Sequence, residues 1–327
     1  MLPPKTHCLV TGGAGFIGSN LVDRLLRAGC TVRVVDNLST GNIRNLDDAG
    51  NRIDFIEGDL CDPAVVKKSV DGMDIVFHVA ALPSVPRSMA DPWGSHDNNV
   101  NATVRLLQGC VEADVRRVVY SSSSSVYGDT PVLPKVESVE PLPRSPYAAA
   151  KLSGEQYVLA FARAGMVEGV ALRYFNVFGP RQDPNSAYAA VIPAFMAAAK
   201  NGSVARVNGN GGQTRDFTFV DNVVDANLLA ASQSADKADG RVFNVGAGSR
   251  TTLLELLELI GEVAGTKIDF VHDAPREGDV RDSLASLERI EEGLGYQPTV
   301  SLREGLGLTW RWIVNANASA VGEGVSA

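Results

Sequence analysis

Tyr147 and Lys151 stand four residues apart in Tyr147-Ala148-Ala149-Ala150-Lys151, and on a helix this spacing puts a phenol and an ammonium on one face. A free tyrosine, with a pKa of about 10, is a poor base at neutral pH. A cation beside it favours the phenolate, and lowering the pKa by ~3 would need about 4 kcal/mol of differential stabilisation. The same spacing arises by chance between a surface tyrosine and a solvated lysine, so the surroundings decide. Residues 121–125 are all serine, directly after the apolar Val118-Val119-Tyr120 and before Val126-Tyr127-Gly128. Such a run is either a flexible linker or the end of a sheet strand, and the apolar segment before it favours the strand end. Ligands bind at strand ends in parallel sheets, and a serine hydroxyl there can relay a proton or bond a substrate oxygen.

A second group of residues predicts what lies beside that phenol. Thr11-Gly12-Gly13-Ala14-Gly15-Phe16-Ile17-Gly18 follows an apolar strand and opens a helix. Gly12 suits a tight turn, Gly15 lets backbone N–H groups approach a pyrophosphate, and Gly18 allows close helix–sheet packing. A glycine trio alone is also what a plain turn looks like. With a strand before it, a helix after it and an acid near the end of strand two, it matches a dinucleotide fingerprint. The acid is Asp36. Its carboxylate accepts from ribose hydroxyls and repels a 2′-phosphate, which predicts NAD rather than NADP. Asp59-Leu60 is placed to bracket the adenine, and His78-Val79-Ala80-Ala81 offers small residues where backbone passes the cofactor. A positively charged nicotinamide ring would join Lys151 in favouring the Tyr147 phenolate.

The elements needed to hold these groups are legible as alternating short and long apolar patterns. Strands are predicted at 7–10, 31–35, 53–56, 74–79 and 117–120, with helices at 16–28 and near 95–113. Later strands at 169–174 and 242–245 can join the same sheet. This βαβα alternation predicts an α/β, Rossmann-type doubly wound parallel sheet with helices on both faces. After Phe178 the chain turns to Gly- and Pro-rich loops and short strands, as a smaller carboxy-terminal substrate-binding lobe would. The expected division is 1–178 for the NAD-binding domain, with a strand returning near 240–246, and 179–315 for most of the substrate lobe. Residues 316–327 are expected as a flexible tail, with fraying from Asn315.

Composition removes other classes. The 327 residues are 45% hydrophobic and 21% charged with a net charge of −8, which suits a globular protein and argues against a nucleic-acid partner. The four cysteines, Cys8, Cys30, Cys61 and Cys110, form no CxxC pair and no metal spacing is present, so a reducing cytoplasm and no metal are expected. No apolar run reaches the ~20 residues that span a bilayer.

At these motifs the sequence resembles the extended short-chain dehydrogenase/reductase family and, within it, the UDP-sugar 4-epimerases. The resemblance runs from Thr11 to about Leu306 and is carried by TGGAGFIGS, Asp36-Asn37, HVAA, NNVN, SSSSSVYG, SPYAAAK, RYFNVFGPRQ, TRDF and REGDVR. It implies Ser123, Tyr147 and Lys151 as the catalytic set. It implies Gly12, Gly15, Phe16, Ile17, Asp36, Asn37, Asp59, Leu60, Asn99 and Lys151 near NAD, beside Tyr147 and the Ala80 backbone. For the UDP-sugar it implies Ser84, Asn176, Val191, Asn208, Arg215, Arg276 and Asp279, with the forked arginines suited to a diphosphate.

Two details bear on the reaction. Related dehydratases and decarboxylases carry an acid just before the Val-Tyr-Gly, where this chain has Ser124 and Ser125. Without that carboxylate, oxidation followed by re-reduction remains, which inverts one carbinol. Ser283 stands where the resemblance places a gate beside the sugar, and serine leaves room for a 2-acetamido group. Leu82-Pro83-Ser84-Val85-Pro86-Arg87-Ser88 resembles the loop of epimerases preferring N-acetylated sugars, with Pro83 in place of an expected glycine. UDP-N-acetylglucosamine and UDP-glucose are therefore the expected substrates. UDP-glucuronate is an alternative and a dehydratase or decarboxylase a lesser one; a non-catalytic NAD-binding regulator would need no proton relay. Helices near 95–113 and 145–164 are expected to pair across a two-fold axis in a homodimer.

Overall fold

A computed structural model describes residues 2–183, 190–274 and 280–322, with side chains as far as residue 315. Seven strands build the central sheet: β1 His7–Thr11, β2 Thr31–Asp36, β3 Ile53–Glu57, β4 Ile75–His78, β5 Arg117–Ser123, β6 Glu168–Tyr174 and β7 Arg241–Val245. All neighbours run parallel, in the order β7-β6-β5-β4-β1-β2-β3. The order reverses between β1 and β4, and a crevice opens there at the carboxyl ends of the strands. β7 is the late strand expected near 240–246.

Alternation along the strands explains the two apolar layers. Val10, Phe77 and Val119 face one side and pack with Leu21, Val22 and Leu25 of α1 (Phe16–Arg27). Leu9, Val76 and Val118 face the other, against Val66 of α2 (Pro63–Val70) and Leu106 and Leu107 of α5 (Ala102–Glu112). Both faces are covered, which is why these strands read as unbroken apolar runs.

The helix expected at 95–113 begins earlier and is not regular. α3 (Val85–Ala90) and α4 (Pro92–His96) precede a π turn over Asp97–Asn101, which leads into α5. Asp91 accepts from Gly94 N at 2.9 Å and Pro92 holds the first helical φ, so α4 starts there. α6 (Pro146–Arg163) opens the same way, with the Ser145 hydroxyl accepting from Ala148 N at 3.2 Å.

The carboxy-terminal lobe pairs Ala205–Asn208 with Phe270–Asp273 and Thr214–Arg215 with Thr251–Thr252, beneath helices Val191–Asn201 and Leu253–Ala264. One expectation is corrected. The last helix, Leu302–Gly322, runs on past Asn315, where polar fraying was expected. Alanines alternate through 316–320, and alanine is the strongest helix former.

Candidate active site

The glycine-rich turn connects β1 to α1. Gly12 has φ +67°, and a Cβ there would lie 2.7 Å from Ala80 Cα, so only glycine fits between the first turn and the segment after β4. Thr11 fixes that approach: its hydroxyl accepts from Ala80 N at 3.1 Å and contacts His78 Nδ1 at 2.8 Å. His78 Nε2 meets the Thr103 hydroxyl at 2.9 Å. Burial, and then the Lys151 charge, lower the His78 pKa to about 3, so this imidazole is a neutral cross-link rather than an acid or base.

α1 begins with Gly15 as its N-cap, without a side-chain cap and without an acid in its first turn. Its first-turn N–H groups and positive dipole end are left for an anion. The Asp36 carboxylate accepts from Ala14 N at 2.9 Å and Leu38 N at 2.8 Å. Burial pushes its pKa up, and those two N–H groups pull it back. Asn37 donates to Asp59 at 3.1 Å, which closes the far wall. The result is a cavity of about 700 Å³ lined by Gly12, Gly15, Phe16, Ile17, Asp36, Asn37, Asp59, Leu60, Ala80, Ser84, Tyr147 and Lys151. An uncapped helix start at one end and a ribose-level carboxylate at the other fit a dinucleotide.

Tyr147 and Lys151 occupy one face of α6, above the carboxyl end of β5. Burial raises the Tyr147 pKa, and a hydrogen bond from Ser123 lowers it by less. Lys151 is almost fully buried; its ammonium donates to the Ser121 carbonyl at 2.7 Å and lies 4.9 Å from the centre of the Tyr120 ring. Burial brings its pKa down to about 7. The ammonium is turned to a carbonyl and is itself costly to charge in this setting.

A second cavity of about 280 Å³ gathers Asn176, Val191, Asn208 and Arg215, and the two cavities meet at Ala190. Arg215 is oriented by its donations to Thr214 O at 2.8 Å and Arg281 O at 2.9 Å. Asn176 holds φ +26°, and its side chain donates to Asp216 O at 3.2 Å.

Other expected residues lie elsewhere. Asn99 is buried behind the cavity wall, where its side chain bonds Leu82 N (3.1 Å), Leu82 O (3.3 Å) and Ser95 O (2.8 Å), and so shapes the 82–84 loop; Asn98 and Ala102 reach the cavity instead. The π turn rotates Asn99 inward by changing the register of the helix face. Ser84 lines the larger cavity rather than the one holding Arg215, because it caps α3 through Arg87 N at 3.2 Å. Ser283 lines neither: it is buried, and its N–H donates to Thr214 O at 3.1 Å. Arg276 and Asp279 lie outside the described residues.

Several wall residues escaped the sequence reading. Tyr174 lines the larger cavity and its hydroxyl is held by Ser121 at 3.0 Å and by Asn227. Gln182 lines it too, with its Oε1 buried and without a partner. Both fall inside RYFNVFGPRQ, so the motif marked the stretch without marking the side chains. Arg206, in the smaller cavity and paired with Asp273 at 2.6 Å, had no sequence signal.

A doubly wound sheet with a dinucleotide cavity at its switch point, and a YxxxK helix over the neighbouring strand, defines an extended short-chain dehydrogenase/reductase. Residues 8–246 match the NAD dependent epimerase/dehydratase family, and the chain belongs to it, with NAD as its cofactor. The chain is similar to a UDP-glucose 4-epimerase of Mycolicibacterium smegmatis, 40% identical over 94% of this chain and 98% of that one. Among solved structures it is similar to a UDP-N-acetylglucosamine 4-epimerase of Methanobrevibacter ruminantium in complex with UDP-N-acetylmuramic acid. That likeness has a TM-score of 0.90 at 40% identity, over 96% of this chain and 100% of the other. The NAD complex of a Thermus thermophilus UDP-glucose 4-epimerase superposes with a TM-score of 0.85 at 33% identity, over 94% of this chain and 99% of the other.

Proposed function

We propose that this protein is a 4-epimerase of UDP-hexoses, acting on the UDP-N-acetylglucosamine/UDP-N-acetylgalactosamine pair and also on UDP-glucose/UDP-galactose. The observation that carries this reading is the meeting of the two cavities at Ala190, with the Tyr147 phenol in the wall of the larger one. Residues 1–178 with β7 hold the cofactor, and 179–315 hold most of the nucleotide sugar.

The first-turn N–H groups of α1 would hold the pyrophosphate of NAD, and Asp36 its adenosine ribose. Bound NAD supplies a hydride acceptor, and then a hydride donor, for one carbon. Tyr147 takes the proton of the sugar 4-hydroxyl, and Ser123 holds the same oxygen. Lys151 would bind the nicotinamide ribose and add its charge to those favouring the phenolate. Asn176, Val191, Asn208 and Arg215 anchor the UDP while the 4-keto sugar turns about its diphosphate; Tyr147 then returns the proton to the 4-oxygen as C4 regains its hydride on the opposite face. Ser124 and Ser125 put no carboxylate beside the sugar; the Ser125 hydroxyl instead donates to Ser123 at 2.9 Å, which supports inversion over elimination or decarboxylation. Four unpaired cysteines support a reducing, cytoplasmic setting.

Offered UDP-N-acetylglucosamine, UDP-glucose and UDP-glucuronate separately, the purified protein is expected to yield the 4-epimers of the first two, read by NMR. A 4-keto-6-deoxy sugar or a pentose as the sole product would overturn the reading.

We also propose a homodimer. Met89 on α3 (63% exposed), Trp93 on α4 (75%) and Tyr157 on α6 (43%) leave an apolar surface over three helices that pack together. Trp93→Asp is expected to shift sedimentation from dimer to monomer; an unchanged sedimentation coefficient sinks the proposed interface.

A further inference from the structure

Asp216 is fully buried and touches neither cavity, yet it sits between Arg215 and Phe217, which both line the smaller one. Its carboxylate accepts three backbone N–H groups from two separate segments: Ala247 at 2.8 Å, Gly248 at 3.1 Å and Ala285 at 3.1 Å. Its backbone carbonyl accepts the Asn176 side chain at 3.2 Å. The segment ending at Ala285 also supplies the Arg281 carbonyl that orients the Arg215 guanidinium at 2.9 Å, and pairs with Thr214 through Ser283 N at 3.1 Å. Tyr296, just past the helix Glu288–Leu294, donates its hydroxyl at 2.8 Å to Gly246 O in the turn after β7 and braces the other donor segment.

We infer that Asp216 is a positioning residue for the nucleotide-sugar cavity: its carboxylate gathers the 246–248 turn and the 281–285 segment so that Arg215 and Asn176 are set to grip the diphosphate. The inference rests on the proposed function in one respect, namely that this cavity takes the UDP.

The chemistry supports a placement role over simple core filling. Burial pushes the Asp216 carboxyl pKa up to about 6 even with three N–H groups opposing it, so the fold tolerates a costly anion there. An apolar residue would close the core without that cost, but would leave three buried N–H groups unpaired and two segments unlinked. The fit is also tight, since a Cβ on Gly246 would lie 2.7 Å from the Asp216 carboxylate and 2.6 Å from Ala285 Cβ.

Asp216→Asn keeps the shape and replaces one acceptor oxygen with an NH₂ facing an N–H. In the full-length, NAD-loaded protein it should weaken UDP binding, measured by titration calorimetry, by about tenfold or more. KM for the UDP-sugar should rise in step, kcat should fall far less, and NAD content should match wild type. A merely structural role would lower the active fraction and melting temperature without moving KM or the UDP affinity. Should Asp216→Asn not fold, Gly246→Ala presses on the same carboxylate from the other side and should give the same split. Wild-type binding of UDP with unchanged affinity in the variant, or a fall in kcat at constant KM, overturns the inference alone. A wild-type protein that does not bind UDP sinks it together with the proposed function.

Discussion

Tyr147→Phe is expected to lower kcat by about 10²- to 10⁴-fold, the range a positioned general base supplies, while the purified protein keeps its NAD. The phenyl ring fills the same space on α6, and most of the cofactor cavity is lined by the turns after β1, β2, β3 and β4, so cofactor retention should not depend on the hydroxyl. What would be lost is the oxygen proposed to exchange a proton with the sugar, and with it the group whose pKa Ser123 lowers. Because burial raises the pKa of this phenol when only protein groups surround it, the protein does not hold a ready phenolate. Ionisation must draw on charge brought in with NAD. NAD content is read from the absorbance released on denaturation, and kcat from product NMR. A variant turning over at near wild-type rate would remove Tyr147 from the mechanism.

Lys151→Met should show the opposite behaviour in stability and activity. Turnover should fall by about 10²-fold or more, since the cation assisting Tyr147 is gone. In protein stripped of NAD, however, the variant should be the more stable by about 1–3 kcal/mol near pH 7. This is the penalty for burying an ammonium, less the lost contacts with Ser121 and Tyr120. The pH dependence has a definite sign. The Lys151 pKa falls from 10.5 in the unfolded chain to about 7 in the fold. Its penalty is therefore complete below about pH 7, and it is relieved as pH rises towards the ordinary lysine value, because only the unfolded chain then holds the proton. Thermal melts should show the Met variant's advantage shrinking between pH 7 and 10. An advantage that is absent at pH 7, or that grows with pH, would refute the buried-cation account.

The same two residues show how far the sequence could be read. Their four-residue spacing fixed a shared helix face, and Gly12 to Gly18 fixed a turn opening a helix, because both depend on contacts within about one turn of chain. The seven strands were legible for a related reason: a sheet covered on both faces needs uninterrupted apolar runs, and these are local in sequence. Asp36 and Asp59 were placed through the strand ends that carry them. The inward turn of Asn99 was not legible, because the π turn that carries it has no sequence signature here. The burial of Ser283 was not legible, because it follows from pairing with Thr214, distant in the chain.

By itself, then, the sequence determined the doubly wound sheet, the dinucleotide turn and the Tyr147–Lys151 pair, since short-range backbone geometry encodes all three. Only the tertiary structure decided that the Lys151 ammonium turns to Ser121, that two cavities share Ala190 in their walls, and that Asp216 ties together segments from 176 to 285. Those outcomes depend on burial and on hydrogen bonds between residues far apart along the chain. Desolvation and long-range pairing exist only once the chain has packed.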